Sequence, residues 1–560
     1  MPMARGVKTG IIGAVFAGML GVAGFGAYNI YSSLNKDSGS GSGASQTVGA
    51  STDDKPLGVK DVQSAADAFL NAWTGGDLQK AADATDSPQT ALAALNEFKT
   101  DARITAVRAV TNAASAADTG TDPSTPAAGD SAGKVTFSVE ATINYQGSVY
   151  PWSYSSGLTV ARNAAGKPAV TWASSVVNPH LDTGDSVVTG PASTPDVQIV
   201  DRKGKVMDPA TFPSLARIIP DLRTRYADKL GGGVPGVETY VKKSDGSTGL
   251  TLHKLKKGRP AKLDTTLDST IQAAAEKAVA AHPSSGVTAL DTGTGGILAV
   301  ANNPADGTDY ALGDTSAPGS TFKVVTAAAL IERGHLTPSS PAPCRNGANY
   351  GYGKAYKNDG DMNVPGADLS YDFTRSCNTG FILQAGSLGA TGLVDTAKQF
   401  GITQPWNIGT TCTDPNVPGG TGDELTSEMI GQGTLQLSPL VMASVAATAA
   451  TSDFHQPVIV DKKLIGKPIA KADGIKQQTS LYLRQMMRAT ITDGTATGVM
   501  NGFGPDSGAK TGSAETDTSA MPNGWFVGFS GGVAASAVVH SGGHGNASAG
   551  PMVAAVLRAS

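Results

Sequence analysis

The sequence contains few of the residues that build metal centres. Its 560 residues include three cysteines, Cys344, Cys377 and Cys412, and seven histidines. No Cys-x-x-Cys pair and no Cys/His cluster at metal-ligand spacing occurs along the chain. Because structural zinc sites need such ligand sets, we predict neither a metal site nor any other cofactor.

Charge is sparse as well. Charged residues make up 16% of the chain, the formal net charge is -4, and there is no basic tail. Proteins that bind nucleic acid present a basic patch or stripe to the phosphates, so nucleic acid is not an expected partner. With 40% hydrophobic residues and roughly 150 residues per domain, the chain is expected to fold into three or four domains.

A long uncharged run, residues 9–31, follows Arg5 and Lys8. About 20 apolar residues cross a bilayer core, and the positive flank stays cytoplasmic. The pattern predicts a short cytoplasmic tail and a single membrane anchor over residues 1–35, with the rest outside the cytoplasmic membrane. A cleaved signal peptide is the alternative. In that oxidising location Cys344 and Cys412 form a disulfide or remain two buried thiols, and the sequence leaves both open.

The remaining chain divides by composition. Residues 36–56 are rich in Ser and Gly and predict a flexible linker. Residues 57–181 show amphipathic helices followed by strands. Apolar and polar residues alternate from Val135 to Tyr145, which predicts a half-buried strand, and further strands are expected at Val149–Tyr154 and Leu158–Ala161. This order indicates a small α+β domain. Residues 182–262 are assigned to a linker or dimerisation module, in which Leu250–Leu255 is expected to pair with Ala261–Leu263. Residues 263–560 form a larger domain. Strand patterns occur at both of its ends, and we expect these strands to share one sheet.

The segment 317–323 carries the first chemical motif. A Pro-Gly turn leads to Ser320, and Lys323 follows three residues later at the start of an apolar run that predicts a helix. Residues three apart share a helix face. An unprotonated lysine amine in that position can take the serine proton and make the hydroxyl a nucleophile. The positive helix end would favour the anion that forms at the attacked carbonyl.

Two further motifs follow in the same predicted domain, Ser376-Cys377-Asn378 and Lys510-Thr511-Gly512. Each triplet is weak alone, because residues 33–35 and 8–10 match the same patterns outside any folded domain. The joint order is informative: a serine and lysine at a helix start, a loop between helices, and a strand. Cys377 is interpreted as a small packing residue, with a nucleophile as the alternative.

The motifs resemble those of the class B, monofunctional penicillin-binding transpeptidases. The resemblance extends to Leu263–Asp268, to Gly431-Gln432-Gly433 and to Gly524–Gly528, while residues 57–181 are similar to the nuclear-transport-factor-like domain of MecA-type members. This resemblance implies a multi-domain α+β protein. Its parts, in chain order, would be a membrane helix, a cone-shaped α+β domain, a linker/dimerisation module, and a β-lactamase-like serine transpeptidase domain with an antiparallel sheet and a helical subdomain.

The resemblance implies a role for each catalytic residue. Ser320 would be acylated by a D-Ala-D-Ala stem peptide or by a β-lactam, and Lys323 would be its base. Ser376 would relay the proton to the leaving group. Backbone N–H groups of Ser320 and Ser513 would form the oxyanion hole.

Substrate-binding residues are implied in the same way. Asn378 would hold the substrate amide, Lys510 and Thr511 would bind the terminal carboxylate, and Gly512 would let the substrate lie along its strand. The proximity of Lys323 and Lys510 would lower the pKa of the lysine base.

The implied activity is D,D-transpeptidation of peptidoglycan stem peptides, with a separate SEDS-type glycan polymerase as partner. A D,D-carboxypeptidase or β-lactamase on the same scaffold is one alternative, and a non-catalytic β-lactam sensor is another.

Glu515 is interpreted as a solvated carboxylate, with an influence on deacylation as the alternative. None of the histidines falls in a motif, which disfavours a Ser-His-Asp hydrolase, and His540 and His544 are expected in surface loops.

Overall fold

The computed structural model of the protein describes residues 57–115, 132–515 and 521–560. The described residues divide into two compact units, one that extends to Pro195 and includes Val234–Arg259, and the other of Asp196–Gly233 with Pro260–Ser560. The predicted anchor and the linker at 36–56 lie outside the described residues. Within the described ranges, every helix is too short or too polar to cross a bilayer.

The first unit places helices against a four-stranded antiparallel sheet. The alternation predicted for 135–145 is confirmed, since Val135, Phe137 and Val139 are buried along Gly133–Tyr145. Trp73 reaches this face from the first helix, with its ring 6.4 Å from that of Phe137. The helices are Val59–Thr74, Leu78–Asp83 and Pro88–Thr100, and the strands in sheet order are Ile104–Ser115, Gly133–Tyr145, Ser148–Arg162 and Pro168–Thr171.

Two strand predictions in this unit were wrong. The segments expected as separate strands near 149–154 and 158–161 form one strand, because Ser148–Arg162 pairs without interruption along Gly133–Tyr145. Thr248–Lys256 pairs with Val237–Lys242 and not with residues 261–263. Val237–Lys242 pairs on its other side with Ser186–Pro191. Residues 182–262, expected as one linker module, are distributed between the two units.

The second unit is built on a five-stranded antiparallel sheet that joins distant parts of the chain. Its strands, from one edge to the other, are Ile297–Asn303, Ser285–Asp291, Val533–Val539, Asn523–Ser530 and Gly508–Ala514. The prediction of one sheet assembled from both ends of the domain is confirmed. A short parallel pair, Gln198–Val200 with Lys262–Asp264, also belongs to this unit.

Helices cover both faces of this sheet. On one face Phe526 packs in a core with Met552 of the C-terminal helix, and on the other its neighbours Trp525 and Val527 join the larger core with Val441. Alternate residues of a strand point to opposite faces, so a strand covered on both sides is apolar throughout. The α-helices of the unit are Ile218–Tyr226, Ser269–Ala280, Lys323–Glu332, Leu369–Arg375, Asn378–Leu383, Gly392–Gln399, Asp423–Met429, Pro439–Thr451, Lys462–Ile465, Gln477–Thr492 and Ala549–Arg558.

Candidate active site

The Ser320 turn, Gly319–Phe322, is a short 3-10 turn that leads into the helix Lys323–Glu332. Gly319 has φ 52°, and its N–H donates to the Gly431 carbonyl at 2.9 Å. A side chain here would also collide with the neighbouring strand, since a Cβ atom would lie 2.6 Å from the Ser513 carbonyl oxygen. Glycine tolerates both constraints, and the turn therefore places Ser320 against the edge strand of the sheet.

Lys323 lies beneath this turn with no exposed surface. Its Nζ donates to the Ser376 carbonyl at 2.9 Å and to Asn378 Oδ1 at 2.7 Å, and it lies 3.5 Å from Ser376 Oγ. No hydrogen bond joins it to the Ser320 hydroxyl among the described residues. Burial, and then the charge of Lys510, hold the pKa of Lys323 well below its ordinary value, while Asp372 opposes them. The predicted direction is confirmed, but burial is the larger cause.

The loop with Ser376 and Asn378 is held by residues the motif does not contain. Ser376 has φ 63° and ends the helix Leu369–Arg375. Asn358 Oδ1 accepts the backbone N–H groups of Asn378 and Thr379 at 2.9 and 3.0 Å, so it caps the helix that starts there. Asn358 was missed from the sequence, because nothing near position 358 marks it as a partner of a loop 20 residues away.

The cysteine expectation was wrong. Cys344 forms a disulfide with Cys377, and Cys412 is the free, half-buried cysteine. Cys377 is therefore neither a free nucleophile nor merely a packing residue: it ties the loop to the segment at 344. A disulfide needs its two Cα atoms within about 7 Å, a condition that only the folded chain decides.

The strand Gly508–Ala514 is an edge strand, and it carries the third motif. Lys510 is fully buried, and its Nζ donates to Ser376 Oγ at 3.0 Å and to the Thr511 carbonyl at 3.0 Å. Burial lowers the pKa of Lys510 to about 7. The Thr511 hydroxyl shares a 2.6 Å hydrogen bond with that of Thr495, a second residue the sequence reasoning missed.

Gly512 allows this strand to approach the Ser320 turn. A Cβ atom at Gly512 would lie 2.9 Å from the Pro318 carbonyl oxygen and 3.0 Å from the Thr321 nitrogen. These separations are shorter than van der Waals contact allows, so glycine is required. The three motifs, which are spread over residues 320–512 of the sequence, are thereby brought to one place.

A cavity of about 1180 Å³ opens above them. Ser320, Ser376, Asn378, Thr511 and Ser513 line it, whereas the two lysine amines lie in the protein beneath them. The rim carries both signs of charge, from Lys354, Lys357, Arg375, Asp359 and Glu515. The structure thus brings together every residue predicted for the site, with the hydroxyls at the surface of the cavity and the amines behind.

His544 also lines this cavity, which the sequence reasoning missed. Its Nδ1 lies 3.3 Å from Ser513 Oγ and 3.6 Å from Asp359 Oδ2. In a Ser-His-Asp relay the two ring nitrogens serve different partners, but here one nitrogen faces both. His540 lies elsewhere, beside Tyr310 and Asp314.

One group of the described residues has the spacing of metal ligands, Cys344, Asp372 and Cys377. Two of its members are the sulfurs of the disulfide. A thiolate, not a disulfide sulfur, is the metal ligand, so these residues in the bonded form do not fit a metal ion.

Comparisons with known proteins identify the two folded domains of the chain. Residues 285–558 match the model of the penicillin binding protein transpeptidase domain, and residues 61–185 that of the NTF2-like N-terminal transpeptidase domain. Peptidoglycan D,D-transpeptidase PbpA of Mycobacterium tuberculosis is 29% identical over 253 residues, which cover 41% of this chain and 50% of that protein. The chain thus matches about half the length of such curated relatives.

Solved structures share the fold. Penicillin-binding protein A from M. tuberculosis, as an imipenem acyl-enzyme complex, has a TM-score of 0.50 at 22% identity, over 67% of this chain and 95% of that one. A structure described as the structural coordination of polymerization and crosslinking by a peptidoglycan synthase complex has a TM-score of 0.53 at 20% identity, over 67% and 92%.

The sheet edge, the Ser320 turn and the two buried lysines define a serine–lysine site, in which the amines of Lys323 and Lys510 lie 3.5 and 3.0 Å from Ser376 Oγ. The chain belongs to the penicillin-binding transpeptidase family and carries the MecA-type N-terminal domain of that family.

Proposed function

We propose that the protein is a serine D,D-transpeptidase that cross-links peptidoglycan stem peptides and is acylated by β-lactams. The observation that carries this proposal is the convergence of three distant motifs on one cavity, with Ser320 at its surface and Lys323 buried below. The matching family model and the names of the relatives support the same activity.

In the acylation step Ser320 Oγ attacks the carbonyl of the penultimate D-Ala. A carbon–oxygen bond forms, and the hydroxyl proton passes to Lys323. An amine can act as a base only when it is unprotonated, and the lowered pKa of Lys323 supplies that form. The N–H groups of Ser320 and Ser513, on segments in direct contact, would stabilise the negative oxygen.

The leaving D-Ala amine needs a proton as the carbon–nitrogen bond breaks. Ser376 Oγ lies 3.5 Å from the Lys323 amine and 3.0 Å from the Lys510 amine. A hydroxyl both donates and accepts, and these distances support a role for Ser376 in passing the proton from Lys323 towards the leaving group.

The substrate terminus would bind at the edge strand. Lys510 in its ammonium form and the Thr511 hydroxyl provide the charge and the donor that a carboxylate requires. Asn378 uses one amide N–H to reach the Lys357 carbonyl, and its second N–H remains to hold the substrate amide. Gly512 leaves space for a peptide to lie along the strand.

An amine from a neighbouring stem peptide then attacks the acyl-enzyme and releases Ser320. Water in place of that amine would make the protein a carboxypeptidase or a β-lactamase. Glu515, an exposed carboxylate on the cavity rim, is the group that could favour water. Product analysis with a D-amino acid acceptor separates the two, because transfer gives an exchanged peptide and hydrolysis gives only a shortened one.

The test of the proposed function is intact mass after incubation with penicillin. The wild-type protein should gain the mass of one penicilloyl group, and Ser320→Ala should gain none. Persistence of the adduct for hours would oppose a β-lactamase. An adduct that survives Ser320→Ala would overturn the assignment of the nucleophile.

The location and the partner are part of the same proposal. The uncharged run at 9–31 supports a single membrane anchor with the catalytic unit outside the cytoplasmic membrane. The neighbour described as the structural coordination of polymerization and crosslinking by a peptidoglycan synthase complex supports a glycan polymerase as partner, and we propose that this polymerase is of the SEDS type. Membrane fractionation, and co-purification with a tagged polymerase, test the two statements separately.

A further inference from the structure

Thr495 lines the cavity of the candidate active site, and none of the roles assigned above uses it. It follows the helix Gln477–Thr492, and its hydroxyl shares a 2.6 Å hydrogen bond with that of Thr511. Within the part of the chain that the structure describes, neither hydroxyl has a second hydrogen-bond partner. This contact therefore joins the end of the helix to the edge strand Gly508–Ala514.

Other threonines near the end of this helix use their hydroxyls locally. Thr490 donates to the Met486 carbonyl at 2.9 Å. Thr497 donates to the Gly494 carbonyl at 2.7 Å. A threonine hydroxyl in a helix or a turn commonly bonds to a nearby backbone carbonyl in this way. Thr495 departs from that pattern, because its hydroxyl reaches the strand along which the substrate is proposed to lie.

The turn that carries Thr495 is held against the end of the helix that precedes the second motif. The Thr495 N–H donates to the Thr374 carbonyl at 3.3 Å, and a Cβ atom at Gly494 would collide with the oxygen of that carbonyl. Beside this contact, Arg375 forms an ion pair with Asp493 at 3.1 Å. The backbone contacts of the turn therefore set the position of the Thr495 hydroxyl.

A bound carboxylate would decide the direction of the bond between the two hydroxyls. A hydroxyl has one proton to donate and two lone pairs that accept, whereas an ionised carboxylate only accepts. Without substrate, either oxygen can be the donor. When a carboxylate binds at Thr511, the Thr511 proton must point to the carboxylate. The Thr511 oxygen is then the acceptor of the Thr495 proton.

We propose that Thr495 is a positioning residue of the carboxylate site, which donates its proton to Thr511 Oγ1 and thereby turns the Thr511 proton towards the substrate. The inference rests on the proposed function, because it places Thr495 behind a residue that binds the substrate terminus. Hydrogen bonds that form a chain polarise and strengthen one another. Thr511 therefore binds the carboxylate more tightly when Thr495 donates to its oxygen.

The test is a double-mutant cycle on the second-order rate constant for acylation of Ser320 by benzylpenicillin, followed by intact mass. Thr495→Val keeps the shape of the side chain and removes the donor, so it should lower the rate constant about fivefold. In the Thr511→Val background the same change should have no further effect, because the oxygen that receives the proton is absent. Thr495→Ser retains a hydroxyl and should restore most of the rate constant.

Thr497→Val is the matched control. It makes the same substitution two residues further along the chain and also removes a hydrogen bond of the turn. Thr497 is exposed, however, and its hydroxyl bonds to the Gly494 carbonyl and not to the strand. Its effect on the rate constant should be small and equal in both backgrounds. If Thr495→Val does not fold, Thr495→Ala removes the same donor and replaces it in the cycle.

The outcomes separate this inference from the proposed function. If the wild-type protein forms no penicilloyl adduct on Ser320, the proposed function fails. If the adduct forms and Thr495→Val lowers the rate constant by the same factor in the wild-type and the Thr511→Val backgrounds, Thr495 acts independently of Thr511, and only its positioning role is overturned. A rate constant that Thr495→Val leaves unchanged in the wild-type background overturns that role as well.

Discussion

Replacing Asp372 by Asn should change how the stability of the catalytic unit depends on pH. The pKa of this carboxyl is 3.8 when unperturbed and about 8 in the folded protein. A raised folded-state pKa means that the folded state holds the proton more tightly. The protonated Asp372 carboxyl therefore contributes its full stabilisation of the folded protein below pH 3.8. This contribution is lost as the pH rises through about 8.

The magnitude follows from these two values. Across this window each pH unit changes the free energy of unfolding by about 1.4 kcal/mol. Between pH 5 and 8 the wild-type protein should lose about 3–4 kcal/mol relative to Asp372→Asn. Lys323 titrates in both proteins, so the difference between them reports mainly on Asp372.

Urea denaturation, followed by the fluorescence of the buried Trp406 and Trp525, would measure this difference. The wild-type free energy of unfolding should fall between pH 5 and 8 more steeply than that of the variant. Asn also leaves polar atoms unpartnered, so the two proteins are compared by slope and not by absolute stability. Parallel curves over this range would refute the reasoning that Asp372 is buried as a neutral acid.

Three further predictions concern the residues around the site. The pKa of Lys510 is about 7, and only its ammonium form binds a carboxylate. The second-order rate constant for acylation should therefore fall about tenfold per pH unit above that pKa. A rate constant that stays unchanged up to pH 9 would contradict this role of Lys510. Gly512→Ala should cost about 1–3 kcal/mol and most of the acylation rate, because its Cβ would meet the Pro318 carbonyl. Gly504→Ala, where a Cβ meets nothing within 4 Å, is the control. Asn358→Ala should lower the free energy of unfolding by about 1–3 kcal/mol, because the partly buried backbone N–H groups of Asn378 and Thr379 lose their acceptor. Calorimetry that shows no change would contradict this role.

The sequence by itself was enough to predict the chemical motifs. Ser320, Lys323, Ser376 and Lys510 each stand next to local signals, a Pro-Gly turn, a helix start or a strand, and those signals depend only on neighbouring residues. The alternation of Val135 to Tyr145 predicted its strand for the same reason: one face of that strand is buried and the other is not.

Only the tertiary structure decided which distant residues meet. Cys344 pairs with Cys377 and not Cys412, and Asn358 caps a helix 20 residues later. The long strand at 148–162 likewise follows from its partner, because a neighbouring ladder keeps a chain extended where local signals suggest an interruption.

The burial of charged groups is the clearest example of what only the tertiary structure decides. Asp372 is one of the chain's 47 acidic residues, and its sequence context gives no sign that its carboxyl is shut away from water. Its raised pKa, and the lowered pKa of Lys323, exist because packing removes the solvent that would stabilise the charged forms. The sequence therefore determined which groups the site contains, and the tertiary structure decided which of them carry a charge, because solvation depends on everything packed around them.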